Sequence, residues 1–406
     1  MRKLLALIFP LFMWMGLWAQ TYPKAIFPGD YPDPTILRDG KDYYMTHSPF
    51  YYAPGFLIWH SQDLANWKPV CRAVPEYEGS AMAPDLVKCN GKYYIYYPSD
   101  GVNWVVWADD IRGPGSKPVR LDIKGIDPGH VVGEDGHRYL FTNNGWVTPM
   151  TDDGLKVAGE SRKVYDGWKY PKNWVTEGND MYLESPKLVK KDGYYYMVSA
   201  EGGTAGPATS HMCVAARSKS IFGPWENSPY NPIVHTYSSK ERFCGCKRNP
   251  IFTHRNLGRD YPVIYAGHGD LVDDADGNWW IVYHAYANGY HTLGRSTLIE
   301  PVEWTSDGWF RTARTAPSDL PEGQAVMELS DDFSTPQLGL QWTFWKEYAP
   351  NALSIKDNTL EMKGKGESPS DGRLLLATAT DKCYETQVEI TTGKGNQGGL
   401  LLYYNE

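Results

Sequence analysis

Cysteine is scarce in this chain. Its six residues, at 71, 89, 213, 244, 246 and 383 of 406, could pair in an oxidising compartment, but their spacing fixes no connectivity. Cys244-Gly245-Cys246 has no second Cys/His pair spaced near it. Zinc takes about four ligands, so structural or free thiols stand well ahead of a zinc centre. Basic runs are missing too. With a net charge of −8 and no Lys/Arg cluster, nucleic acid is excluded as a partner. No apolar stretch is long enough for a membrane span, which takes about 20 residues. The nearest, Leu4 to Trp18, follows Arg2-Lys3 and precedes Ala19-Gln20. That is the pattern of a secretory signal peptide over residues 1–19. No cysteine lies near its end, so a lipid anchor is unsupported. The expectation is an exported chain.

What is present is globular: 42% hydrophobic and 22% charged residues, with 16 Trp and 29 Tyr. Most of those aromatics suit β-sheet interiors. The rest would serve as platforms for the apolar faces of sugar rings.

One local pattern recurs five times. A short apolar strand, an Asp-Gly or Asn-Gly turn and an aromatic return strand make a hairpin signature. The turn glycines are 40, 91, 136, 193 and 277. The return strands open Tyr43-Tyr44, Tyr93-Tyr94, Tyr139-Leu140, Tyr194-Tyr195 and Trp279-Trp280. Five all-β units at about blade spacing predict a five-bladed β-propeller over residues 21–310. The stretch 200–267 is too long for a bare connection and is expected to hold the rest of blade four plus loops.

Each first strand carries a polar residue just ahead of its apolar run. Asp127, Glu184 and His268 sit nine positions before their turn glycine, Asp33 seven and Asp85 six. Equivalent positions on inner strands face one channel. Three or four carboxylates and a histidine are therefore expected at one mouth. Any one of these acids alone is more simply a turn or capping partner; the register of the set favours a site. Two carboxyl groups across an open pocket are what glycoside hydrolysis needs, one protonated to donate to the leaving oxygen and one ionised to activate water. A third raises the pKa of the acid by like-charge repulsion. The loop Asp273-Asp274-Ala275-Asp276 resembles a calcium loop, but its Asp276-Gly277 is already the hairpin turn, so a structural role is expected.

Residues 311–327 lack periodicity and read as a linker. From 328 a new pattern begins with Asp331-Asp332-Phe333-Ser334, and alternating stretches such as Leu374-Leu375-Leu376 and Leu400-Leu401-Leu402-Tyr403-Tyr404 follow. Residues 328–406 are shorter than a two-sheet sandwich of about 100 residues. They are expected to form the first part of a C-terminal β-sandwich in a longer protein.

Tyr31-Pro32-Asp33-Pro34-Thr35-Ile36, Tyr182-Leu183-Glu184-Ser185-Pro186 and Leu293-Gly294-Arg295 resemble glycoside hydrolase family 43. The runs 249–255, 267–272 and 301–304 resemble its β-xylosidase-like branch. The resemblance implies that Asp33 is the general base, Glu184 the general acid and Asp127 the residue that tunes and orients the acid. It further implies that Arg295 binds substrate hydroxyls, that Phe50, Met82, Ala83 and Thr204 line the sugar subsite, and that His268 lies on the axis. No cofactor is implied for the chemistry; a structural calcium ion on the axis is a family feature. In the family a Trp often precedes Ala-Pro-Asp; here it is Met82, which is adaptable and less planar. The activity implied is exo-acting and inverting on xylo- or arabino-oligosaccharides, with xylan 1,4-β-xylosidase first and α-L-arabinofuranosidase second. A sugar-binding propeller without chemistry is the rival reading, and it leaves the three acids and Arg295 unused.

Overall fold

Gly40, Gly91, Gly136, Gly193 and Gly277 all adopt positive φ, between 65° and 83°, a region glycine enters without steric cost. In the computed structural model, which describes residues 23–77, 79–169, 182–204, 210–236, 263–313 and 320–404, each of these glycines turns one antiparallel hairpin. The hairpins are Thr35–Asp39 with Asp42–Thr46, Asp85–Cys89 with Lys92–Ser99, Gly129–Val132 with Arg138–Thr142, Glu184–Lys191 with Tyr194–Glu201, and Val263–Asp273 with Trp279–Ala287. A third strand extends each sheet outward: Gly55–Ser61, Val102–Ala108, Trp146–Met150, Met212–Ser218 and Arg295–Trp304. The chain is all-β and forms a five-bladed propeller.

Blades one to four end in strands that follow in sequence: Lys68–Val74, Val119–Lys124, Arg162–Lys163 and Glu226–Asn227. The fifth does not. Its outer position next to Arg295–Trp304 is taken by Lys24–Phe27 from the start of the propeller, with Lys24 opposite Ile299. Inner strands of successive blades touch all the way round, from Thr35–Asp39 through to Val263–Asp273 and back. The ring is thereby closed by pairing of its own two ends.

The hydrophobic material lies between blades rather than in one centre. Phe27, Met45, Trp59, Trp67, Trp280 and Ile299 fill the wedge between blades five and one. Phe56, Ile58, Ile95 and Tyr97 fill the wedge between one and two. Similar clusters separate the remaining pairs. Trp59, Trp67 and Trp280 are fully buried, so much of the aromatic content is wedge packing.

The expected linker is partly structure. Phe310–Thr312 pairs with the end of Arg295–Trp304. Further on, Ala325 N–H donates to the Ile26 carbonyl (2.7 Å) and Val326 N–H to the Trp67 carbonyl (3.0 Å). Leu320 is buried in the five–one wedge, with Ala325 and Met327 against it. Apolar side chains hold this stretch on the propeller.

Beyond it, Thr343–Trp345 pairs with both Leu375–Leu376 and the blade-one loop strand Tyr52–Ala53, while Leu353–Lys356 and Thr359–Met362 form a hairpin. Leu400–Tyr404, expected as a strand, is not one. It has no ladder partner among the described residues, and Leu402 is 83% exposed. Residues 1–19, Cys244, Cys246 and the 249–255 run lie outside the described residues. Cys71, Cys89, Cys213 and Cys383 are free thiols.

Candidate active site

Four X-Pro pairs stand at the starts of inner strands, and in each the first residue has left-handed φ: Asp33 (56°), Ala83 (38°), Asp127 (56°) and Ser185 (52°). Blade five supplies His268 (55°) ahead of Gly269, at an interruption of the ladder between Gly267 and Asp270. A residue before proline prefers extended backbone, and left-handed φ is costly for side chains with a Cβ. Strain of this kind clusters at functional sites. Here the repeated kink carries Asp33, Asp127 and Ala83 to the channel, with Glu184 one residue before its kink.

Asp33 is 5% exposed and heavily bonded. Arg295 Nη1 donates to Oδ1 at 3.0 Å, and Ser48 Oγ donates to Oδ2 at 2.5 Å. His284 Nδ1 lies 3.1 Å and His268 Nδ1 3.5 Å from Oδ1. Burial alone would raise its pKa. Chiefly the guanidinium of Arg295 outweighs burial and holds Asp33 well below the usual carboxylate range. It is ionised. Ser48 also accepts the Ala83 N–H at 2.6 Å, so one hydroxyl links the base to the pocket wall.

Asp127 has the opposite balance. Burial, then the charges of Glu184 and Asp33, push its pKa well above the ordinary value, against smaller opposing effects from Lys187 and the Ser185 N–H. Burial and the neighbouring carboxylates thus favour the protonated form of Asp127. Glu184 itself is half-buried. It also lines a cleft of about 370 Å³ with Asn143, Asn144, Lys163, Asp166, Tyr182 and Leu183.

The pocket floor is imidazole-rich and neutral. His268 is pushed down to about 3 and His211 to about 4, in both cases by burial first. His211 stacks on His284 with ring centroids 5.2 Å apart. Of the subsite residues, Phe50 lies with the Arg295 guanidinium 5.6 Å from its ring centre, and bridges to Ala81. Ala83 is buried and Met82 half-buried. Thr204, also half-buried, follows Gly202-Gly203 after the second strand of blade four. Asp85 is not at the mouth: it bonds Lys187 Nζ and the His130 N–H below the acids. Asp274 accepts from the N–H groups of Asp276 and Asn278, which makes its loop a structural turn.

Sequence reasoning missed Ser48, His284, Lys187 and Asp270. His284 had a visible signal, since it interrupts an otherwise apolar strand. Asp33, His268 and His284 also bring one carboxylate oxygen and two imidazole nitrogens within 4.8 Å of one another. Calcium takes about six to eight oxygens, and the Asp33 oxygen here already accepts from Arg295. That donor set suits calcium poorly.

The chain is 36% identical over 341 residues to a xylosidase/arabinosidase of Butyrivibrio fibrisolvens, covering 75% of this chain and 60% of that protein. It is 32% identical to the non-reducing end α-L-arabinofuranosidase BoGH43B of Bacteroides ovatus, covering 86% and 68%. Among solved structures, the xylan β-1,4-xylosidase of Bacillus halodurans superposes with a TM-score of 0.72 at 30% identity, covering 88% of this chain and 72% of that one. The chain thus spans well under the full length of these relatives. Residues 330–406 match the β-xylosidase C-terminal concanavalin A-like domain. Residues 22–310, which carry all three acids and Arg295, match glycosyl hydrolases family 43, and the chain belongs to that family.

Proposed function

We propose that this protein is an exo-acting, inverting glycoside hydrolase releasing pentose residues from xylo- or arabino-oligosaccharides, with xylan 1,4-β-xylosidase the leading activity. One observation carries the reading. Asp33 is held ionised, chiefly by the Arg295 guanidinium, while burial and the neighbouring carboxylates favour protonated Asp127. A base and an acid with opposite protonation around one pocket are the two groups a single-displacement hydrolysis requires.

Asp33 Oδ1 is crowded by Arg295 and His284, whereas among the described residues Oδ2 is engaged by Ser48 alone. Oδ2 is therefore the atom that takes the proton from the attacking water. Glu184, half-buried at the pocket, delivers the proton to the leaving oxygen, and Asp127 tunes it. Arg295 steadies the base and offers its remaining N–H groups to sugar hydroxyls. Neutral imidazoles on the floor add no competing charge.

The alternative, α-L-arabinofuranosidase, is favoured by the likeness to BoGH43B and by Met82, which lacks the flat face of a stacking wall. Assaying aryl β-D-xyloside, aryl α-L-arabinofuranoside and aryl β-D-galactoside side by side, with NMR of the first-formed anomer, decides both points. Fastest turnover of the xyloside with inverted product is expected; a retained anomer refutes the mechanism. The Arg2-Lys3 start and the apolar run to Trp18 support export. Among the described residues no helix is long and apolar enough to cross a membrane.

A further inference from the structure

Lys187 stands three residues after Glu184 on the inner strand of blade four and is 3% exposed. Its ammonium donates to the Pro84 carbonyl (2.6 Å), Asp85 Oδ1 (2.9 Å) and the Pro128 carbonyl (3.2 Å). An ammonium has three N–H donors, so the group is saturated. Its acceptors come from blades two and three, and two of them adjoin pocket residues: Pro84 follows Ala83 and Pro128 follows Asp127.

This contact belongs to a polar ring beneath the acids. Asp85 Oδ2 accepts the His130 N–H at 2.6 Å, joining blades two and three. Thr35 Oγ1 accepts the Leu86 N–H at 3.0 Å, joining one and two. Asp270 of blade five accepts from the Ile36 N–H at 3.0 Å and from Thr35 Oγ1 at 3.3 Å. The positive charge of Lys187 reaches Asp127, Asp270 and His268.

Two carbonyl oxygens and a carboxylate are hard oxygen donors of the kind calcium takes, and here an ammonium consumes all three. A divalent ion seeking the same oxygens would have to displace this ammonium or meet its like charge at short range. We infer that Lys187 is the internal cation that ties blades two, three and four together: its covalently attached ammonium takes the place a metal ion would have among these oxygens, and as a positioning residue it sets where Asp127 and Glu184 stand relative to Ala83. Its effect on turnover rests on the glycosidase reading; its effect on metal binding does not.

The test has two arms. Wild-type protein is treated with EDTA, then returned to calcium, with metal analysis and thermal melting at each stage. No stoichiometric divalent ion and an unchanged Tm are expected. A tightly held ion, or a Tm that rises with calcium, overturns the inference, and this arm decides even if no glycoside is cleaved. In the second arm Lys187→Ala is expected to lose about 10²-fold in kcat, as about 1 Å of misplacement does, with little change in KM. Added ethylammonium should restore part of kcat, and tetramethylammonium, which has no N–H, should not. Wild-type kcat in the variant, a loss confined to KM, or a loss that ethylammonium leaves untouched refutes the positioning role. Should Lys187→Ala not fold, Lys187→Met/Asp85→Asn removes both charges and is expected to show the same kcat loss; normal kcat in that protein is equally fatal.

Discussion

Replacing Ser48 by Ala tests the electrostatics of the base most directly. The hydroxyl donates to Asp33 Oδ2 at 2.5 Å and accepts the Ala83 N–H at 2.6 Å, both buried. A hydrogen bond to a charged group contributes about 1.5 to 3 kcal/mol. Losing it moves the Asp33 pKa up. The orphaned Ala83 N–H costs a further ~1 to 3 kcal/mol of stability. The sign follows from linkage. Asp33 is depressed on folding, so its contribution is present above the unfolded carboxylate pKa of about 3.9 and fades as pH falls through the lower folded value. The variant should therefore be destabilised by about 2.5 to 6 kcal/mol at neutral pH, and by less in strong acid. The profile of kcat/KM against pH reports the free enzyme. Its acid limb should shift upward, while urea midpoints at pH 7 fall. An acid limb that stays in place in a folded, active variant would refute the claim that Ser48 helps keep Asp33 ionised.

Three further outcomes are expected. Glu184→Gln should abolish turnover of substrates with poor leaving groups while oligosaccharide binding by calorimetry persists; equal activity in variant and wild type would remove the acid assignment. Gly129→Ala places a Cβ 1.6 Å from the Pro186 carbonyl oxygen, wedging the Asp127 strand from the Glu184 strand. It should lower Tm and kcat together, and an unchanged protein would show that these blades do not meet as closely as described. Glu201 is buried, its carboxyl accepting the Trp168 N–H at 2.5 Å, and burial pushes its pKa up to about 8. A raised folded pKa stabilises below the unfolded value and that stabilisation is lost as pH climbs to about 8. Glu201→Gln should flatten the decline in stability between about pH 5 and 8, and a decline of undiminished slope would exclude Glu201 as its source.

The hairpins were legible because both halves of the signal are local: a glycine at the turn and aromatics just after it. The acids were legible because a carboxylate ahead of an apolar strand has few uses, and four of them at similar offsets from the turn narrow those uses. Asp85 shows the limit of that reasoning. Its position matches, yet the partner that draws it below the mouth, Lys187, is 102 residues away. Lys24–Phe27 was hidden for the same reason, since its ladder partners lie more than 260 residues on and nothing local marks a closing strand. Ser48 looks like a loop serine until Asp33 and Ala83 arrive on either side of it. Leu400–Tyr404 failed in the other direction, because an alternating pattern specifies a strand only where a sheet edge receives it.

The closure of blade five has a kinetic consequence. Tyr31 N–H bonds the Arg295 carbonyl at 2.9 Å, and Thr297 Oγ1 bonds the Tyr31 carbonyl at 2.7 Å, so the seam lies two residues from Asp33. During synthesis the first blade emerges long before its last neighbour exists, and until then Asp33 has no guanidinium beside it. On the glycosidase reading the site is incomplete until blade five closes on blade one, and hydrolysis of a chromogenic glycoside would serve as a clock for when the circle is sealed.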